Sequence, residues 1–153
     1  MDFLGAAASC AVACEQQTGC PAELSVAQAI LESAWGTHCP GNNLFGIKAT
    51  DSSETYEFSK EYLNGQWVTM LEAFEAYPSF TECFIAHAKL IEGGPYAPAW
   101  VLYRVNHNLD NLIRGIAIHY ATDPNYAAEI IQLANGPHIT AAIVAARNAL
   151  ITS

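Results

Sequence analysis

Apolar residues recur at helical spacing along most of this chain, and one stretch in the middle changes to a different period. Residues 1–17 carry an apolar face that includes Cys10 and Cys14, and Thr18-Gly19 supplies a stop. Pro21 at a first helical position, with Glu23 two residues on, opens a second helix that the pattern carries to Gly36. In it Leu24, Val26, Ala27, Ile30, Leu31, Ala34 and Trp35 spread around the whole wheel, which predicts a largely buried helix. The turn Cys39-Pro40-Gly41-Asn42-Asn43 leads into Leu44-Phe45-Gly46-Ile47-Lys48, too brief for a stable helix and suited to lining a groove.

From residue 54 to 74 the strand formers Tyr56, Phe58, Tyr62, Trp67, Val68 and Thr69 flank Asn64-Gly65, a strong hairpin signal. A two-residue type I′ turn there sets Leu63 opposite Gln66, Tyr62 opposite Trp67 and Glu61 opposite Val68, with Glu61 close to the tip. Helical spacing then returns. Ser79 and Glu82 form a capping box for a helix through Ile91, closed by Gly93-Gly94-Pro95. Further helices are predicted over Ala99–Val105 and Asn108–Tyr120. Asp123 as N-cap with Pro124 in the first turn predicts another through Ala134, and Gly136-Pro137 sets off a last one, His138–Leu150. The fold class is therefore α+β, mainly α: a helical lobe with one small β-hairpin lobe. No repeat or long linker divides the chain, so residues 1–153 read as a single domain.

Composition narrows the partners. With 52% hydrophobic and 14% charged residues, the 153-residue chain has the makings of a proper core. A net charge of −9 with only six Lys and Arg disfavours nucleic acid and offers no basic face to an anionic membrane surface. The apolar run from Phe3 to Cys14 has no preceding Lys or Arg and flows into Glu15-Gln16-Gln17, which suits a first helix better than a leader. No stretch approaches the ~18 apolar residues of a membrane span. The five cysteines, Cys10, Cys14, Cys20, Cys39 and Cys83, lack the spacing of zinc sites, so no metal and no cofactor is expected. Pairs Cys14–Cys20 and Cys39–Cys83 stay open alongside small buried thiols. The five histidines are dispersed and form no nucleophile arrangement with Cys or Ser.

Glu32 stands out, a carboxylate in an otherwise apolar helical stretch with no cation within one turn. A site of that kind keeps a carboxylic acid protonated near neutral pH, as a general acid requires.

Three blocks in order, Ala27-Gln28-Ala29-Ile30-Leu31-Glu32-Ser33-Ala34-Trp35-Gly36, Gly41-Asn42-Asn43-Leu44-Phe45-Gly46-Ile47-Lys48-Ala49 and Tyr120-Ala121-Thr122-Asp123-Pro124-Asn125-Tyr126-Ala127, closely resemble the glucosaminidase family, glycoside hydrolase family 73. The resemblance spans roughly Phe3 to Leu133, includes flagellar-type peptidoglycan hydrolases, and leaves residues 136–153 as an added C-terminal helix. It implies a lysozyme-like helical lobe, a small β lobe, and peptidoglycan glycan strands as substrate, cut on the reducing side of N-acetylglucosamine. By the same resemblance Glu32 is the catalytic general acid, Glu61 in Glu61-Tyr62-Leu63-Asn64-Gly65 its partner across the groove, and Tyr120 the active-site tyrosine. Glu57 and Glu72 are the alternatives to Glu61. Candidate substrate-binding residues are Asn42 and Asn43 through their amides, Phe45 as a stacking ring, and Trp35 and Tyr126, both also suited to packing. Two positions depart from the family pattern: His119, often glycine, and Glu75, frequently arginine.

A lytic transglycosylase or muramidase, which also uses a Glu-Ser acid in a helical lobe, is the nearest alternative, and a non-catalytic wall-binding module a second. Action on the wall of a cell, in the periplasm or outside, with no leader visible, implies a delivery partner or an immunity protein.

Overall fold

A computed structural model describes residues 1–50 and 54–152. Among the described residues seven α-helices run α1 (Phe3–Thr18), α2 (Ala22–Glu32), α3 (Phe80–Glu92), α4 (Ala97–Asn106), α5 (Leu109–Tyr120), α6 (Tyr126–Ala134) and α7 (Pro137–Ile151). Between α2 and α3 the chain makes the antiparallel strands β1 (Glu54–Leu63) and β2 (Gln66–Glu75). The α+β, mainly helical class expected from the pattern is what forms.

Local chemistry sets the boundaries. Asp2 caps α1 by accepting from the Gly5 amide at 2.8 Å, and Gly19, at φ 79°, ends it in the left-handed region. Ser79 caps the helix as expected, its hydroxyl oxygen accepting the Thr81 amide, but Glu82 accepts from that hydroxyl and not from the Ser79 backbone amide, so the two residues form an N-cap in place of the reciprocal capping box. The hairpin turn has Asn64 at φ 50° and Gly65 at φ 78°, and its register is Leu63 to Gln66, Tyr62 to Trp67 and Glu61 to Val68. Lys48 bridges to Phe74 beside β2, so the Leu44–Lys48 segment joins the helical lobe to the hairpin.

Several boundaries shift by one or two residues, with Pro21 outside α2 as its N-cap and α4 opening at Ala97 instead of Ala99, and two more are differently built. The second helix ends at Glu32, not Gly36. Ser33 turns its hydroxyl back onto the Ala29 carbonyl and accepts the Gly36 amide, while Ala34, Trp35 and Gly36 take positive φ values of 48°, 58° and 74°. The helix expected to begin at Asp123-Pro124 begins at Tyr126. Asp123 caps a turn instead, its side chain accepting the Asn125 amide at 2.9 Å.

The core lies among α1, α2, α3, α5 and α6 and contains Leu24, Ile30, Phe84, Ile113 and Ile130, all at most 2% exposed. Helix α7 packs mainly on α1 and also on α2, burying Ile139 and Ile143, and its Arg147 binds Glu15 of α1 and Glu23 of α2, each at 2.8 Å. Glu15 also accepts the Ala22 amide, holding the start of α2. All five cysteines are free thiols, so neither candidate disulfide forms. Among the described residues, no group of three or more His, Cys, Asp and Glu is arranged to hold a metal ion. None of the described helices is long and apolar enough to cross a membrane.

Candidate active site

A cleft of about 730 Å³ separates the hairpin from the helical lobe, and Glu32, Asn43, Glu57, Glu61, Tyr120 and Tyr126 are among its lining residues. Glu32, the last residue of α2, brings its carboxyl to the floor. Gly46 passes so close that a Cβ there would lie 3.4 Å from Glu32 Oε2, and its φ of 64° is one that glycine adopts freely. The residue is partly open to the cleft, but the carboxyl itself is enclosed by protein. Burial pushes the Glu32 carboxyl up to about 7; hydrogen-bond donation from Tyr126 works against that rise and the charge of Glu61 adds to it.

Tyr120 and Tyr126 stack at 5.8 Å beside the acid. Burial, then the neighbouring Tyr126 and Glu32, raises the Tyr120 phenol far above its ordinary range, so it stays protonated and donates to the Phe45 carbonyl at 2.7 Å. That bond holds the Phe45-Gly46 backbone under Glu32.

Glu61 reaches in from β1. The Thr122 hydroxyl donates to Glu61 Oε2 at 2.7 Å, and Thr122 accepts the Tyr62 amide at 2.7 Å, so the hairpin is tied to the loop after α5. Lys48 Nζ lies 3.6 Å from Glu61 and 2.7 Å from Glu72. Burial raises Glu72, yet donation from Lys48 and Ser59 outweighs it and holds the carboxyl below its ordinary range. Glu57, the other alternative, faces His38 at 3.7 Å near solvent. Of the three, Glu61 is the one whose charge is felt at Glu32.

Glu32, Glu61, Tyr120 and Tyr126 thus converge, but four expected substrate contacts are otherwise employed. The Phe45 ring is fully buried, stacked on His87 at 4.0 Å, and only its backbone serves the cleft. The Asn42 amide donates to the Tyr77 and Pro78 carbonyls and pins a turn. Asn43 lines the cleft, yet its amide donates to Ile47 and Glu75 carbonyls while its oxygen accepts from Phe45 and Ile47 amides, leaving little for a sugar. Trp35 is carried outward by the turn after α2, half-exposed and away from the cleft lining, instead of packing on the acid. Thr122 and Lys48 were not singled out by sequence, although both sit inside the quoted blocks. Gln28, in the first block, and His87 on α3 were also passed over; both are fully buried behind the acid.

A mainly helical domain with an enclosed carboxyl at the mouth of its second helix, facing a β-hairpin across a cleft, belongs to the lysozyme-like class. Residues 8–138 match the family described as mannosyl-glycoprotein endo-beta-N-acetylglucosaminidase, and the chain belongs to this glucosaminidase family, glycoside hydrolase family 73. Among its relatives are a probable N-acetylmuramidase of Lactococcus lactis, 34% identical over 90% of this chain and 34% of that protein, and the peptidoglycan hydrolase FlgJ of Salmonella typhimurium, 32% identical over 86% of this chain and 44% of that protein. The chain therefore spans about a third of the length of the Lactococcus relative. The crystal structure of a peptidoglycan hydrolase mutant from Sphingomonas sp. A1 superposes with a TM-score of 0.80 at 30% identity, covering 93% of this chain and 97% of that one.

Proposed function

We propose that this domain hydrolyses the glycan strands of peptidoglycan at the β-1,4 bond between N-acetylglucosamine and N-acetylmuramic acid, with Glu32 as general acid. The observation that carries this is the Glu32 carboxyl, raised to about 7 so that a large fraction keeps its proton near neutral pH, and lodged in the cleft opposite Glu61. Glu32 gives its proton to the leaving glycosidic oxygen as the bond to the anomeric carbon breaks. Glu61, oriented by Thr122 and Lys48, holds charge or aligns the incoming group on the opposite face of the ring. Water completes the reaction, its hydroxyl joining the anomeric carbon and its remaining proton restoring Glu32. Sphingomonas and Salmonella relatives named as peptidoglycan hydrolases support the substrate.

The Lactococcus relative's name, probable N-acetylmuramidase, favours a second reading in which the cut follows N-acetylmuramic acid. Mass spectrometry of digested walls separates the two. Reducing N-acetylglucosamine ends support the proposal; reducing or anhydro muramic acid ends support the second reading; binding to sacculi without released fragments would leave only a wall-binding module.

A further inference from the structure

Behind Glu32, away from the cleft, three polar side chains lie in the core without any charged partner: Ser25 at 2% exposure, Gln28 at 0% and His87 at 0%. Buried polar groups are retained in an apolar interior at a cost unless each finds a partner. Here they find one another in a line that runs to Tyr126, which lines the cleft together with Glu32. His87 Nε2 lies 2.6 Å from Gln28 Oε1. An amide oxygen only accepts, so Nε2 carries the proton and Nδ1, 3.5 Å from Ser25 Oγ, is left as an acceptor. Gln28 Nε2 donates to the Tyr126 hydroxyl oxygen at 2.9 Å. With that oxygen engaged as an acceptor, the Tyr126 proton is left to turn toward Glu32, which lines the same cleft and interacts with the phenol electrostatically.

We propose that Gln28 and His87 are positioning residues for the acid, a directed hydrogen-bond chain from α3 through α2 to α6 that fixes Tyr126 as a donor to one Glu32 oxygen. The other oxygen is then left to carry the proton destined for the glycosidic oxygen. The order of the chain matters. If the Gln28 amide turned over, its oxygen would meet Tyr126 and draw the phenol proton away from Glu32. His87 opposes the turn, because its Nε2–H can donate only to the amide oxygen and not to the amide nitrogen. Burial alone depresses His87 to about 3, so it stays neutral, with a single ring proton, throughout the pH range in which Glu32 titrates. The stacked Phe45 ring at 4.0 Å and the edge of Tyr120 at 6.3 Å hold the imidazole plane.

The titratable groups that face Glu32 are Tyr126 from α6, Glu61 from β1 and Tyr120 from α5, with Lys48 beyond, paired to Glu61 and Glu72. Donation from Tyr126 favours the ionised acid, so losing it moves the Glu32 titration upward.

This inference rests on Glu32 being the acid, and the experiment keeps the two apart. Turnover of soluble peptidoglycan fragments is measured against pH for the wild type, His87→Phe, His87→Gln, Tyr126→Phe and Glu32→Gln. His87→Phe keeps a ring to stack on Phe45 but cannot donate to Gln28. It is expected to lower kcat about tenfold, with KM unchanged and the alkaline limb of the pH profile moved up by about one unit. His87→Gln, whose amide can donate from the position of Nε2, restores the profile. Tyr126→Phe moves the limb the same way, and the double variant moves it no further. A His87→Phe protein with the wild-type limb overturns the inference, whether or not its activity has fallen. If His87→Phe does not fold, Tyr126→Phe decides: an unmoved limb there overturns the inference and an upward shift supports it. Wall hydrolysis by Glu32→Gln would instead overturn the acid assignment beneath it.

Discussion

The Thr122 hydroxyl lies 2.7 Å from Glu61 Oε2 and accepts the Tyr62 amide at the same distance, so one side chain fastens both the backbone and the carboxylate of the hairpin to the helical lobe. A hairpin standing out on its own is only marginally stable. The width of the cleft, and with it the reach of Glu61, depends on this tie. Thr122→Val keeps the shape and loses both bonds. It is expected to reduce kcat/KM about tenfold and to increase amide exchange in β1 and β2, while Thr122→Ser stays near the wild type. Exchange mass spectrometry together with wall turnover checks both halves.

Tyr120 acts on the acid through the backbone. Its bond to the Phe45 carbonyl keeps Gly46 against Glu32, and Gly46 itself has a left-handed φ with its missing Cβ aimed at Oε2. Gly46→Ala is expected to cost about 1–2 kcal/mol in denaturant unfolding and to lower kcat by crowding the carboxyl. Tyr120→Phe is expected to cost about 1 kcal/mol through the orphaned carbonyl.

The enclosed acid burdens the fold. The Glu32 carboxyl in the folded protein sits at about 7, above its ordinary 4.5, so it favours folding fully below about 4.5 and loses that advantage as pH rises to about 7. Glu32→Gln is therefore expected to raise Tm by a few degrees at pH 8 and to leave it nearly unchanged at pH 4. Scanning calorimetry at the two pH values tests this.

His87 has the opposite sign. Its folded value of about 3 lies below the ordinary 6.5, so its contribution is complete above 6.5 and is lost as pH falls toward 3. His87→Gln cannot take up that proton, and its acid-unfolding midpoint, followed by circular dichroism, is expected at a lower pH than the wild type's.

The hairpin was readable residue by residue, because Asn64-Gly65 dictates both turn type and register. The Ser79 N-cap and the Gly19 stop were equally local. The end of α2 was not: Gly36 drew the expected boundary four residues too far, since nothing in Ala34 or Trp35 announces a left-handed backbone. The one available signal was Ser33, whose hydroxyl competes for the Ala29 carbonyl. That early end carries Trp35 to the surface and places Glu32 at the end of the helix, facing the cleft. Glu32 and the family blocks were legible because their chemistry is concentrated in short runs. The Gln28–His87 pair was not, because 59 residues separate them and neither sits in a spacing that signals contact. The asparagines misled because amides suited to a sugar are equally suited to pinning a turn.

Release of reducing ends from purified sacculi by Glu32→Gln, beside the wild type and with folding verified, tests the central claim most directly. The account predicts a loss of about 10³-fold in turnover with binding to sacculi retained, in keeping with the removal of a general acid. Turnover within tenfold of the wild type would contradict it.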